Sequence, residues 1–319
     1  MKVSKYLLTR LFQNSSWDNH KSIILNNSLY NNWVSAVYFD HLKPNGKFHF
    51  MNLKLVKLIS IVLYYPAEVF AASIYVKPGE TVNNTVLSQG DMQYVIGGTA
   101  TNTSISFDAY QYVIDGFVTG TFVRDGTQNV NGGSVTNTKL IYGTQNVNGG
   151  SVTNTFVGNA VQNVNDGSVT ETFVEHSGRQ EVYGGSVTNT AITDMSYQNV
   201  HGGSVTNTVI TDSRQNVYGG SVTNTLVYSA YQNVYGGSVS NTTLTHEGYM
   251  SLYNGTVNNV DLSDSSGLYI HPAENNMKPV ITGDITISDK GRIVLSYGAD
   301  SSGADMTVSN DASLQLNNA

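Results

Sequence analysis

The chain has 319 residues, a formal net charge of −7, 12% charged and 39% hydrophobic residues, and no cysteine. Without Cys there are no disulfides and no thiolate metal sites. Eight of the 16 basic residues precede Ala72, and the rest of the chain carries 8 basic against 20 acidic side chains, a net of −12 that excludes nucleic acid as a partner.

Residues 1–50 contain both tryptophans, Trp17 and Trp33, and no repeat. They read as an N-terminal extension outside the true chain, with Met51 a candidate start. The segment 51–71 has the order of a secretory signal: Lys54 and Lys57, an apolar stretch from Leu58 to Tyr65, then Val69-Phe70-Ala71 before a cleavage point. It is too short to anchor in a bilayer.

From 72 to 262 the chain is an array. Gln93, Gln111, Gln128, Gln145, Gln162, Gln180, Gln198, Gln215 and Gln232 recur at steps of 17 or 18 residues, and QNVNGGSVTNT occurs verbatim at Gln128 and Gln145. Weaker copies at Ile74 and Met250 bring the total to eleven. Each copy is rich in Val, Thr, Ser, Asn, Tyr and Gly, with apolar residues two apart and a Gly-Gly between, which is strand-turn-strand chemistry. Seventeen or eighteen residues at about 3.3 Å each make one closed coil of short strands. The fold class is therefore all-β: a right-handed parallel β-helix, or solenoid, behind a region that holds a signal-like helix.

In such a rod sequence columns become ladders. Val95 to Val234 form one inward column, Val135 to Val239 a second, and Leu140 to Leu244 a third, five residues beyond the second, so a corner must separate them. The Gly-Gly pairs mark another corner, where Asp166 substitutes for the first Gly as a residue tolerant of left-handed backbone. Asn137, Asn154, Asn189, Asn207, Asn224 and Asn241 are expected at the intervening corner with amides bonded from coil to coil, and Glu171 interrupts them. Residues 263–319 alternate apolar and polar around Gly and Asp turns and read as diverged coils of a truncated array.

The Q-x-V-x-G-G-S-V-T-N-T units behind a signal resemble the passenger repeats of AIDA-type autotransporter adhesins of Gram-negative bacteria. The resemblance covers about Ile74 to Leu262. It implies a secreted, cell-surface or outer-membrane protein for adhesion, bacterial self-association or biofilm formation, and no enzyme chemistry. It implies as partners other copies of the chain on neighbouring cells, or a host-surface protein or glycan. Association with the outer membrane would come only through a β-barrel that this chain lacks. Relatives of this kind carry heptose on repeat hydroxyls, and Ser134, Thr136, Ser151 and Thr153 stand in comparable positions.

One column changes along the array, from Ile96 and Ile114 through Asn131, Asn148 and Asn165 to Tyr183, His201, Tyr218, Tyr235 and Tyr253. These five rings on adjacent coils are the candidate partner-binding ridge, offered on the expectation of exposed aromatic faces; packing between coils is the competing explanation. The Thr-Asn-Thr runs suggest flat Thr arrays on the surface. A glycan-active enzyme would need acids gathered at one place, whereas Asp115, Asp125, Asp166, Glu171, Glu175, Asp194 and Asp212 are expected at different register positions, as are His176, His201 and His246. No catalytic residue, cofactor or metal site is assigned. The strongest competitor to an adhesin is a fibre-forming matrix protein, because Gln and Asn ladders also build fibres.

Overall fold

The computed structural model describes the backbone of residues 21–27 and 34–40, and residues 71–273, 278–309 and 311–317 in full. The chain divides into two units, Met1–Phe70 and Ala71–Ala319. In the first, the strands Lys21–Asn27 and Val34–Asp40 pair antiparallel, Ile24 opposite Val37. The signal-like segment expected over 51–71 lies outside the described residues, apart from Ala71.

The second unit is a parallel β-solenoid without helix among its described residues. Its repeating element is well shown by one coil. The run Thr144–Val147 meets a Gly149-Gly150 corner, and Ser151–Gly158 follows, bent at Asn154. A third corner at Asn159 then leads into Val161–Val164 of the next coil. Pairing is residue on equivalent residue: Gln145 on Gln162, Val147 on Val164, Val152 on Val169. In the first run the column is fourteen strands deep, from Ser73–Val76 to Ser313–Asn317, and the strands after Leu262 continue it.

The three apolar columns face inward and are fully buried, as Val147, Val152 and Val157 show. Complete burial of a Val or Leu contributes roughly 1.5–3 kcal/mol, so a core a few side chains wide is held by repetition along the axis. At the Gly-Gly corner the second Gly is left-handed, Gly150 at φ +71°, and its missing Cβ would lie 2.6 Å from the Gly133 carbonyl oxygen. The first Gly is not left-handed, which corrects the reason offered for Asp166. That Asp occupies ordinary backbone and its Oδ1 accepts a 2.8 Å bond from the Gly167 N–H.

At the second corner the Asn column is left-handed and laddered: Asn154 φ 56° with its Nδ2 donating to Asn137 Oδ1 at 2.7 Å, Asn224 to Asn207 at 3.1 Å. Glu171 keeps the left-handed backbone, φ 57°, but makes no bond in that ladder.

The Gln column proves to be part of the core. All nine Gln side chains are 0% exposed. From Gln111 onward each Nε2 donates to the Oε1 of the preceding coil at 2.5–2.7 Å, eight bonds in one direction, while Gln93 Nε2 donates to Thr85 Oγ1 at 3.2 Å. The second Thr of each Thr-Asn-Thr run faces the same interior, Thr138 donating to Gln128 Oε1 at 3.3 Å. The expected flat array is therefore corrected: Thr138, Thr155, Thr190, Thr208 and Thr225 are buried, and only the first Thr of each run reaches the surface.

Candidate functional site

Along the first run, alternate residues point out, so the outer face carries three parallel columns. Over the coils from Tyr197 to Tyr253 these are Tyr197, Arg214, Tyr231 and Tyr249; then Asn199, Asn216, Asn233 and Ser251; then His201, Tyr218, Tyr235 and Tyr253. The middle column is an amide ladder, Asn216 donating to Asn199 at 2.8 Å and Asn233 to Asn216 at 2.9 Å.

The ridge predicted at Tyr183, His201, Tyr218, Tyr235 and Tyr253 is one continuous stack. Successive ring centroids lie 4.7, 5.1, 5.1 and 4.8 Å apart with planes within 12° of parallel. His271, which sequence reasoning missed, extends it at 3.9 Å from Tyr253. Packing between coils, the alternative weighed for this column, accounts for the ring faces. A coil step close to the thickness of a ring sets each face against the next, and what the ridge presents is ring edges, phenol hydroxyls and imidazole nitrogens. The edges are accessible: Tyr183 is 52% and Tyr218 47% exposed. Desolvation, then the neighbouring Tyr253 and Tyr218, pushes the Tyr235 hydroxyl pKa up, while Arg214 opposes the rise. Burial holds the His271 imidazole below its ordinary value.

Glu181 takes the place of an Asn in the amide column and is buried. Its carboxylate accepts from Asn199 Nδ2 at 2.8 Å and lies 3.1 Å from His201 Nε2 and 3.4 Å from Arg179 Nε. The ridge is thereby tied to the amide ladder at His201.

The acids and histidines are more ordered than the sequence suggests. Asp194 and Asp212 sit in one column on adjacent coils, Met195 N–H bonding the Asp212 carbonyl, and His176 and His246 share that column, all four left-handed. Asp115 and Asp166 also share a position, each accepting from the next Gly N–H. The expectation of non-equivalent positions is overturned for these residues. Asp194 and Asp212 differ in register against the following Gln because this turn holds two left-handed residues in the 18-residue coil and one in the 17-residue coil, which shifts them in sequence but not in space. Two His–Asp contacts result, His176 Nε2 to Asp194 at 3.7 Å and His246 Nδ1 to Asp264 at 3.3 Å. All four groups are half exposed. Beside the second, Ser229, His246, Glu247, Asp264, Asp289 and Lys290 line a shallow depression of about 520 Å³. Among the described residues no three His, Asp or Glu converge as a metal site.

No family model matches the chain, and no curated protein does. A solved structure matches with a TM-score of 0.62 and 27% identity, over 77% of this chain and 95% of that one: a TibC-catalysed, hyper-glycosylated fragment of TibA. The chain resembles an AIDA-type autotransporter passenger. The resemblance to AIDA-type passengers thus holds in repeat pattern and in the path of the backbone.

Proposed function

We propose that this chain is the surface-exposed passenger of an autotransporter, acting in adhesion, bacterial self-association or biofilm formation through the flanks of its solenoid. The observation that carries this reading is the unbroken parallel stack, with its outward columns of rings and amides, together with the similarity to the TibA fragment. Secretion behind the signal-like segment 51–71, and a location at the Gram-negative cell surface or outer membrane, belong to the same proposal. Its partners are other copies of the chain, or a host-surface protein or glycan. The ridge Tyr183, His201, Tyr218, Tyr235 and Tyr253 is the proposed contact line, acting through edges and hydroxyls rather than ring faces. Summed over many coils, small polar contacts give useful avidity.

By analogy with the hyper-glycosylated TibA fragment, repeat hydroxyls are proposed glycan acceptors. Ser151 is the most accessible of the four named from sequence, since Thr136 and Thr153 are half-buried and bonded to Thr119 at 2.9 Å and Thr170 at 3.1 Å. A glycan-active enzyme is the less favoured reading, because Asp166, Asp194 and Asp212 lie on turns and the depression lined by Glu247, Asp264 and Asp289 is shallow and open to solvent.

The test is display of residues 72–319 on a non-adherent Gram-negative cell through a fused translocating barrel. Rapid settling of displaying cells, slowed when Tyr218 and Tyr235 are both changed to Ser, supports the reading. Displaying cells that neither settle nor attach to epithelial monolayers contradict it.

A further inference from the structure

Arg214 is set apart from the other cations of the solenoid by how it is held. Its guanidinium carbon lies 6.0 Å from the ring centroid of Tyr197 and 5.5 Å from that of Tyr231, one coil before and one coil after. Two rings therefore flank the fork, and a guanidinium held between them loses less freedom on meeting a carboxylate than a free one. Among the described residues no carboxylate lies within 4.0 Å of it; the Arg and Lys ion pairs found are Arg179 with Glu181 and Lys278 with Asp300. The side chain is exposed and borders a depression of about 310 Å³ that Met195, Tyr197, Asp212, Ser213 and Tyr231 also line. Its charge reaches the ridge, where it lowers the pKa of the Tyr235 hydroxyl against the effect of burial.

Beside Arg214 runs the Asn199, Asn216 and Asn233 ladder. Each inner amide spends one N–H and one carbonyl lone pair on its neighbours, at 2.8 and 2.9 Å, and keeps one of each. The ridge beyond adds the Tyr218 and Tyr235 hydroxyls. Groups that both donate and accept, repeated at each coil, match sugar hydroxyls, which do the same. A carboxylate-only polymer finds no such match, and a net of −12 over the solenoid repels dense polyanions.

We infer that this face is a binding strip for a saccharide chain with sparse carboxylates, a uronate alternating with neutral sugars, anchored by Arg214 and laid along the amide ladder. The fork of Arg214 takes the carboxylate, the amides and phenols take the hydroxyls of neighbouring units, and Asp212 opposes the anion from the rim of the same depression. The inference deepens the adhesin reading by naming a ligand class, but it concerns binding by the soluble chain, so its failure leaves the cell-settling test standing.

The test is titration calorimetry of the full chain with a hyaluronan octasaccharide and with its carboxyl-reduced form, at low and physiological salt. Binding by the parent chain is expected to weaken about tenfold or more in Arg214→Gln. Arg214→Lys is expected to fall between, keeping charge but losing the fork, and Asp212→Asn to bind more tightly. The carboxyl-reduced sugar should bind the parent no better than the acidic sugar binds Arg214→Gln. Thermal unfolding by circular dichroism confirms that the variants keep their fold. Equal binding by Arg214→Gln, equal binding of the reduced sugar, or no binding by the parent chain overturns the inference. Equal binding of poly-glutamate overturns it in favour of an acidic peptide.

Discussion

Replacing Gln162 with Leu separates two explanations of the Gln column by sign. If the nine Gln residues merely fill space, an apolar side chain of similar size should stabilise the core by up to about 1.5–3 kcal/mol. In the structure, however, Gln162 Nε2 donates to Gln145 Oε1 at 2.7 Å, and its own Oε1 accepts from Gln180 Nε2 at 2.7 Å and from Thr172 Oγ1 at 3.4 Å. Leu would leave all three partners buried without a mate. At about 1–3 kcal/mol for each orphan, the two ladder amides alone cost roughly 2–6 kcal/mol, so destabilisation by about 2 kcal/mol is the net expectation. The assay is urea unfolding read by circular dichroism, with amide hydrogen exchange over residues 145–182 to localise the loss, since a repeat array need not unfold in one step. A midpoint at or above that of the parent chain would refute the reasoning. Gln162→Glu adds a pH signature. Burial and the facing Gln145 carbonyl favour the protonated acid, so its folded pKa rises above the unfolded value of about 4.3. The penalty is then small below about pH 4.3 and grows as pH rises through the folded pKa. A deficit that is constant with pH contradicts the ladder.

Glu171→Asn should restore the corner ladder between Asn154 and Asn189 in a left-handed site that suits Asn, and raise stability by about 0.5–1.5 kcal/mol in urea unfolding; no gain means that the exposed ladder contributes nothing. Gly150→Ala should cost about 2 kcal/mol or more, because a Cβ there adds left-handed strain to a 2.6 Å approach to the Gly133 carbonyl oxygen, and a change under 0.5 kcal/mol would show that the corner yields. His271 sits against Tyr253 with its Nε2 buried and unpartnered, and burial lowers its pKa. The unfolded chain takes a proton near pH 6.5 that the folded chain resists, so stability present above about pH 6.5 is lost as pH falls. His271→Phe, which keeps the stack, should flatten that slope in melts between pH 5 and 7.5; an unchanged slope assigns it elsewhere.

The Val and Leu columns were legible because aliphatic residues recurring at a fixed period mark a stacked core, and the corners because left-handed backbone selects Asn and the second Gly of each pair. The Gln column was not read as core although the signal was present: Gln145 stands two before Val147, and in a strand that parity puts both on one face. Polarity argued outward, but a ladder of amides satisfies itself only when every coil supplies the next, which a single coil's sequence does not show. Thr138, two before Leu140, was hidden in the same way. The ridge was found by column, but ring orientation is a matter of side-chain torsion and coil spacing. Arg214 was passed over because its neighbours in the chain are ordinary, while Tyr197 and Tyr231 are 17 residues away on either side. The shared column of Asp194 and Asp212 escaped because the turn holds two left-handed residues in one coil and one in the next, which shifts their spacing to the following Gln; His176 and His246 stand alike, each four residues before the Gln-column position of its coil, and that signal was missed.

The central claim is that equivalent residues of successive copies lie one coil step apart along a common axis. Pulsed electron spin resonance measures this directly, since a chain without Cys takes spin labels only where Cys is introduced. Labels at Ser151 and Ser221, four coils apart, and at Ser151 and Ser238, five apart, should give narrow distributions near 19 and 24 Å, differing by about one strand spacing of 4.8 Å. Broad distributions, or two distances that do not differ by about one such step, would contradict the stacked solenoid and everything placed on its face.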